Sequence, residues 1–154
     1  MINGYLIKTE KNFTGKAGRT EKEQIKEEEI RMKKLDGVGR DTIFYKIIDK
    51  EFEEVKQLLE STIDVNFQDK NGYSYLHCAA QVKSIEIVAL LIDKGAIIDI
   101  QDKYGKTPLM VAVSDYDGDD KMIKFLLEYG ANKEMENNYG ISAKKVAAMK
   151  GIDL

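Results

Sequence analysis

The chain has 154 residues, a net charge of −3 from 24 basic and 27 acidic side chains, and one cysteine, Cys78. A single cysteine excludes a disulfide framework and paired zinc-binding thiols, so a reducing cytoplasm is the expected location. No apolar stretch reaches the roughly 18 residues that a membrane span requires, and the N-terminus lacks a secretory signal pattern. Lysines outnumber arginines by 21 to three, which argues against a nucleic-acid partner because arginine forks are preferred for phosphates and bases.

The first 36 residues form a predicted N-terminal extension that is partly helical. Residues 1–19 alternate weakly between apolar and polar, which fits either a disordered segment or an added strand. Residues 20–35 begin with Thr20 and Glu23 in capping-box spacing and run to Leu35 without glycine or proline. We therefore expect a helix there, and its few apolar residues predict that it is mostly solvated and rests lightly on the next domain or on a partner.

From residue 37 onward the chain repeats itself, and residues 37–154 predict one repeat domain. DKNGYSYLHCAA at 69–80 returns as DKYGKTPLMVAV at 102–113, an offset of 33 residues, and as NNYGISAKKVAA at 137–148, an offset of 35. The two additional residues fall between Ala112 and Gly130, where SDYDGDDKM indicates an enlarged loop. A first unit occupies about residues 41–66, and the last unit ends after its first helix.

Each unit predicts a turn, a helix, a loop and a second helix. Two apolar stretches recur, LHCAA with IEIVALLI and then LMVAV with MIKFLL. Gly95 and Gly130 follow the second stretch, where helices commonly end in a left-handed residue. Asp69, Asp102 and Asn137 each stand three residues before a glycine, a spacing typical of tight turns. Because no unit can bury its apolar face alone, the units are expected to stack around one elongated core.

These units resemble ankyrin repeats. Thr107, Pro108 and Leu109 match the Thr-Pro-Leu of that family, and Leu76 with His77 matches its Leu-His. The chain departs from the family pattern at Tyr75, Met110 and Lys83-Ser84. The resemblance implies an all-α solenoid of about three and a half helix–loop–helix repeats, carrying the N-terminal helical extension. It also implies a role in binding other proteins.

Few residues are candidates for catalysis. His77 is the only histidine, and the resemblance implies that it bonds neighbouring turns. Cys78 follows it directly, but adjacent helical residues point about 100° apart, so the two do not form a dyad. We expect a protein without enzyme activity, cofactor or metal.

The densest acidic cluster is DYDGDD at residues 115–120. Counted from Asp115, an EF-hand needs glycine at the sixth place and glutamate at the twelfth, where this chain has Asp120 and Leu126. The EF-hand pattern therefore fails. Carboxylates this dense repel one another, so the loop remains a candidate for binding a basic partner or a cation, and a cation-responsive sensor is one alternative function.

The resemblance implies that a partner binds the concave face, which is made by the turn tips and the ends of the first helices. Tyrosines recur at the turns, and their large, stiff surfaces suit a protein interface. The predicted partner-binding residues are Lys70, Asn71, Tyr73, Gln81, Val82, Lys103, Tyr104, Lys106, Ser114, Asp115, Asp117, Asp119, Asp120, Asn138 and Tyr139.

The acidic balance of the repeat domain predicts an acidic concave face and a basic protein as the partner, with no nucleic acid or membrane involved. One form of this hypothesis is an inhibitor of the immunity type, which neutralises a bacterial toxin. The unfinished last unit around Val146 and Met149 leaves two oligomeric states open, a monomer or a weakly self-associating protein.

Overall fold

The computed structural model describes residues 20, 22, 35–60 and 64–154. The chain divides into two units, residues 1–32 and residues 33–154, and the second unit contains the repeats. Apart from residues 20, 22 and 35, the predicted extension lies outside the described residues, so its helix and its weakly alternating segment stay predictions.

Seven α-helices alternate with loops over residues 35–60 and 64–154, where the only β-structure consists of isolated bridges. The helices are α1 (Thr42–Ile48), α2 (Phe52–Leu59), α3 (Tyr75–Gln81), α4 (Ile85–Asp93), α5 (Pro108–Ser114), α6 (Lys121–Glu128) and α7 (Ala143–Lys150). Residues 115–120 separate α5 from α6, whereas only residues 82–84 separate α3 from α4, which confirms the enlarged loop. The all-α prediction is confirmed.

The helices form two layers. The first helices of the units pack in series, α1 on α3, α3 on α5 and α5 on α7, and α2 packs on α4 in the second layer. In the first three units, the first helix also packs on the second helix of its own unit, as in α1 with α2. One continuous core runs between the layers, and its largest buried side chains include Phe44, Ile47, Tyr75, Leu76, Leu91, Leu109 and Leu126. The predicted shared core is therefore confirmed.

A polar side chain caps each first helix at its N-terminus. The N-cap residues are Asp41, Ser74, Thr107 and Ser142, and each side chain accepts a backbone N–H from the first turn of its helix. Such a cap satisfies an amide that has no partner within the helix, and replacing it with alanine costs about 1 kcal/mol. The caps therefore fix the residue at which each first helix begins.

Tyr75 occupies the first helical position of α3, where the family pattern has proline. Its ring is fully buried, with its centroid 4.9 Å from that of Phe44 and 5.8 Å from that of Phe67. Its hydroxyl donates to the carboxylate of Asp41, the N-cap of α1. The departure at Tyr75 is thus a packing contact between the first two units.

The turns share one hydrogen-bonding pattern, and it includes a turn that the sequence analysis missed. In each turn the side-chain oxygen Oδ1 of the first residue accepts backbone N–H groups two and four residues later, at 2.8 to 3.1 Å. The first residues of these turns are Asp36, Asp69, Asp102 and Asn137. The repeat array therefore begins at Asp36, one residue before the predicted boundary, and the overlooked signal is Asp-Gly-Val-Gly at residues 36–39, 33 residues before Asp69.

Backbone hydrogen bonds join each turn to the next. The amide of Lys70 donates to the carbonyl of Val38 at 2.9 Å, and the amide of Lys103 donates to that of Asn71 at 2.9 Å. The amide of Asn138 likewise donates to the carbonyl of Tyr104 at 3.0 Å. These bonds align the turn tips into one ridge.

Glutamine side chains form a second ladder beside the ridge. Gln68 Nε2 donates to the carbonyl of Gln101 at 2.9 Å, and Gln101 Nε2 donates to that of Glu136 at 3.2 Å. The same two amide groups also donate to Gly72 and Gly105 of their own turns. The second turn is thereby bonded to the third, and the third to the fourth, at two levels.

The glycine in each turn has a positive φ, and three of these glycines, Gly39, Gly72 and Gly105, also lie against the following turn. A Cβ on Gly105 (φ 78°) would lie 2.7 Å from Asn138 Oδ1 and 2.8 Å from Asn138 N. A Cβ on Gly140 (φ 68°) would meet nothing nearer than Glu136 Oε2 at 4.0 Å. The two positions are therefore alike in backbone strain and differ in crowding.

Gly105→Ala is expected to destabilise the protein more than Gly140→Ala. Both variants force alanine into a left-handed conformation, at about 1 to 2 kcal/mol. Only Gly105→Ala also pushes two turns apart, which adds about 1 to 3 kcal/mol, as overpacking does. Urea unfolding of both variants measures the difference. Equal losses in the free energy of unfolding would show that crowding against the next turn adds no cost at Gly105.

Candidate partner-binding face

A hollow of about 320 Å³ lies between the turn ridge and the first helices α3 and α5. It is lined by Asn71, Tyr73, Gln81, Lys103, Tyr104, Lys106, Ser114 and Asp115, which are predicted partner-binding residues, and by Arg40, Asp102 and Val111. The repeat register thus brings turn tips and helix ends together around one concavity. The other predicted residues lie outside this lining.

Tyr73 differs from the other turn tyrosines. Tyr104 and Tyr139 occupy the third position of their turns, whereas Tyr73 follows two positions later in its turn. Its ring stacks on that of His77 with centroids 4.9 Å apart, and its hydroxyl donates to Gln81 Oε1 at 3.1 Å. Burial raises the pKa of the Tyr73 hydroxyl. Only Tyr104 and Tyr139 of the three predicted tyrosines therefore lie at turn tips. Tyr73 forms a wall of the hollow.

Arg40 is one of three lining residues that the predicted partner-binding set does not include. Its Nε donates to Asp69 Oδ2 at 3.0 Å, and the Asp69 side chain is fully buried. The guanidinium carbon lies 5.4 Å from the ring centroid of Phe44 and 5.7 Å from that of Tyr73, within cation–π range. The signal was available, because Arg40 stands 33 residues before Tyr73 at the same turn position.

The turn ridge is basic. Lys70, Lys103 and Lys106 are all exposed along it. Lys103 Nζ lies 4.9 Å from the ring centroid of Tyr104 and donates to Asn71 Oδ1, so its charge is held over the ridge. The lining contains three basic and two acidic side chains, so the structure contradicts the expectation of an acidic concave face.

The acidic loop does not gather its carboxylates into one site. Asp117 pairs with Lys83 at 2.6 Å, Asp120 with Lys124 at 2.8 Å, and Asp119 with Lys121 at 3.5 Å. The Lys83 ammonium lowers the pKa of Asp117, and the Lys121 backbone amide lowers that of Asp119. Within the described ranges, no group of three or more His, Cys, Asp or Glu side chains is placed to hold a metal ion. Only Asp115 joins the hollow.

Two further predicted residues contribute mainly to the fold. Val82 ends α3 and packs half-buried against the core. Asn138 Nδ2 donates to the carbonyl of Lys103 at 3.0 Å, and this bond ties two turns together. Val82 is therefore partly covered, whereas Asn138 is exposed although its amide is engaged.

Exposed apolar side chains concentrate on the concave face. Among the described residues, nine large hydrophobic side chains are exposed, and six of them are lining residues of the hollow or their repeat equivalents. Val38, Tyr104 and Tyr139 occupy the third turn position, Ile48 and Met149 share the helix position of Ser114, and Tyr45 shares that of Val111. Sequence reasoning missed Val38, Tyr45 and Ile48, although the 33-residue offset aligns Ile48 with Gln81 and Ser114.

His77 and Cys78 have structural roles. The imidazole is buried, with Nε2 2.8 Å from the carbonyl of Lys106 and Nδ1 3.1 Å from the amide nitrogen of Ser74. Because the amide can only donate and the carbonyl can only accept, the ring is neutral with its proton on Nε2. The predicted bond to a neighbouring turn is confirmed. Cys78 is buried against α1, and burial raises the pKa of its thiol to about 11.

The burial of His77 predicts that acid destabilises the protein. Burial lowers the pKa of His77 from its ordinary value of 6.5. The unfolded chain therefore binds a proton at a pH where the folded chain does not, so the free energy of unfolding falls as pH drops below about 6.5. NMR titration of the single imidazole is expected to give a pKa below that value. His77→Gln serves as the control, since it removes this pH dependence, and an unshifted or raised pKa would contradict the burial argument.

No helix among the described residues is both long enough and apolar enough to cross a membrane.

Comparison with known proteins matches the array that the structure shows. A family model of ankyrin repeats in three copies matches residues 43–138. The chain is 34% identical over 108 residues to the probable 26S proteasome regulatory subunit p28 of Saccharomyces cerevisiae, a match of 69% of this chain and 47% of that protein. It is 31% identical over 93 residues to ankyrin repeat-containing protein P1E11.10 of Schizosaccharomyces pombe, covering 60% of this chain and 43% of that protein.

A third match is to serine/threonine-protein kinase 12 of Arabidopsis thaliana, with 32% identity over 112 residues, 73% of this chain and 24% of that protein. The chain therefore spans less than half the length of each of these relatives. Because the family model covers more than half of the chain and the seven helices stack as that family requires, the chain belongs to the ankyrin-repeat family, whose repeats are generally protein–protein interaction modules.

Proposed function

We propose that the chain binds another protein through its concave face and has no catalytic activity of its own. The observation that carries the proposal is the concentration of exposed apolar side chains there, six of the nine among the described residues. A soluble surface rarely groups such side chains without a use for them. The basic rim and the hollow beside them supply the polar contacts that give an interface its specificity.

Rigidity of the face supports the proposal. The turn tips are held by backbone bonds between turns, and Tyr73 is held against α3 by stacking and by a hydrogen bond. Side chains that are already ordered lose little entropy when a partner binds. The mechanism is therefore steric: a preformed surface covers part of the partner.

The absence of catalysis is supported by the roles of the two most reactive side chains. Both ring nitrogens of His77 are bonded within the fold, and the thiol of Cys78 is buried with a raised pKa. Inhibition of the partner is the direct result of steric cover, and an immunity-type inhibitor of a toxin is one case of it. Neither version requires further groups on this chain.

Tyr104→Ala and Tyr139→Ala are each expected to weaken partner binding about 10-fold or more, because aromatic residues at the centre of an interface dominate its affinity. Tyr129→Ala is the matched control, since Tyr129 is 47% exposed against 45% for Tyr104 but follows the second helix α6. Capture of partners from the native cell lysate, followed by calorimetry with the captured protein, measures the effect. Equal losses in all three variants, or no loss at Tyr104, would refute binding by the concave face.

A further inference from the structure

We propose that the hollow recognises a charge-polarised segment of the partner, which presents a carboxylate to the turn ridge and a cation to the end of α5. This inference rests on the proposed function and adds the chemistry and direction of the bound segment. Unpaired charges of opposite sign on the two edges of the hollow carry it.

The turn edge supplies positive charge. Arg40 is already neutralised by Asp69, but Lys103 and Lys106 have no carboxylate partner among the described residues. Lys103 is positioned over the Tyr104 ring, so little entropy is lost when it meets an anion. Asp102 also lines the hollow, but it forms no ion pair with either lysine, and its Oδ1 accepts the amides of its own turn.

The helix edge supplies negative charge. Asp115 ends α5 and lines the hollow, and it forms no ion pair within the described ranges. Each of the next acids in the loop, Asp117, Asp119 and Asp120, is held by a lysine outside the hollow. Asp115 is therefore the carboxylate left available to a partner here. Gln81 and Ser114 beside it add hydrogen-bonding groups.

Apolar surface extends from the hollow at both ends of the array. Tyr139 and Met149 are 70% and 78% exposed toward the C-terminal end, and Val38 and Ile48 are exposed toward the N-terminal end. An extended segment lying along the face would place its charged pair at the hollow and apolar residues on either side. Complementary charges at the centre would then set its register and direction.

The test uses a displayed library of random 12-residue peptides, selected on the whole chain and measured one by one by fluorescence anisotropy. We expect selected peptides to share one acidic and one basic position with apolar neighbours. Lys106→Glu and Asp115→Lys are each expected to weaken such peptides tenfold or more. The double variant is expected to prefer the peptide in which the acid and the base are exchanged.

Matched controls are Lys94→Glu and Asp93→Lys at the end of α4, which make the same charge changes outside the hollow and are expected to have little effect. All four positions are exposed, so the variants are expected to fold, and melting curves check this.

Peptides without a charge pattern that still depend on Tyr104 would overturn this inference and leave the proposed function standing. Peptides whose affinity does not change in the Tyr104→Ala variant would overturn both this inference and the proposed function. A library that yields no binder would also overturn the inference, while the lysate capture tests the proposed function separately.

Discussion

The close approach of consecutive turns is the constraint on which the array depends. Lys103 N lies 2.9 Å from the carbonyl of Asn71, a contact that leaves no room for a side chain on Gly72. Glycine satisfies both the positive φ and the crowding, while the aspartate or asparagine at the start of each turn bonds the turn internally. Because the turns stack at this distance, the first helices lie close enough to bury their small and branched side chains in the core. The spacing of the turns and the spacing of the helices are therefore compatible.

The same bonds shape the surface that we propose binds a partner. Arg40 and Tyr73 are held within the array by an ion pair and by ring stacking, and they form walls of the hollow, while Asn138 ties two turns together outside it. The tips that project beyond them, Tyr104 and Tyr139, keep their surfaces free. Within one turn, some residues therefore stabilise the fold, while their neighbours present surface that a partner can contact. A stiff face of this kind suits an interface better than a flexible one, because little order remains to be acquired on binding.

Repeat offsets predicted most of the architecture, and their failures are local. The 33-residue offset identified the paired helices and the turns, because two copies of one pattern imply two copies of one environment, and the ankyrin resemblance implied the role of His77. The offset was not applied to Asp36, where glycine and valine replace the lysine and asparagine of the next turn. It was also not applied strictly to Tyr73, which belongs two positions beyond the other turn tyrosines and therefore points to α3. Acidic composition suggested an acidic face, but composition does not say on which side of a helix each charge lies.

The sequence by itself determined the repeat, the order of helices and the residues of the core, since these follow from spacing and from the need to bury apolar groups. The sequence also argued against a catalytic His–Cys dyad, because the single histidine and the single cysteine are adjacent in a helix and their side chains point in different directions. Only the tertiary structure decided which charges are free. Lys83 reaches Asp117 across two loops, and Arg40 reaches Asp69 across two turns, so both acids are neutralised by residues distant in the chain. Pairing of this kind depends on where stacking places side chains in space, which periodicity along the chain does not specify.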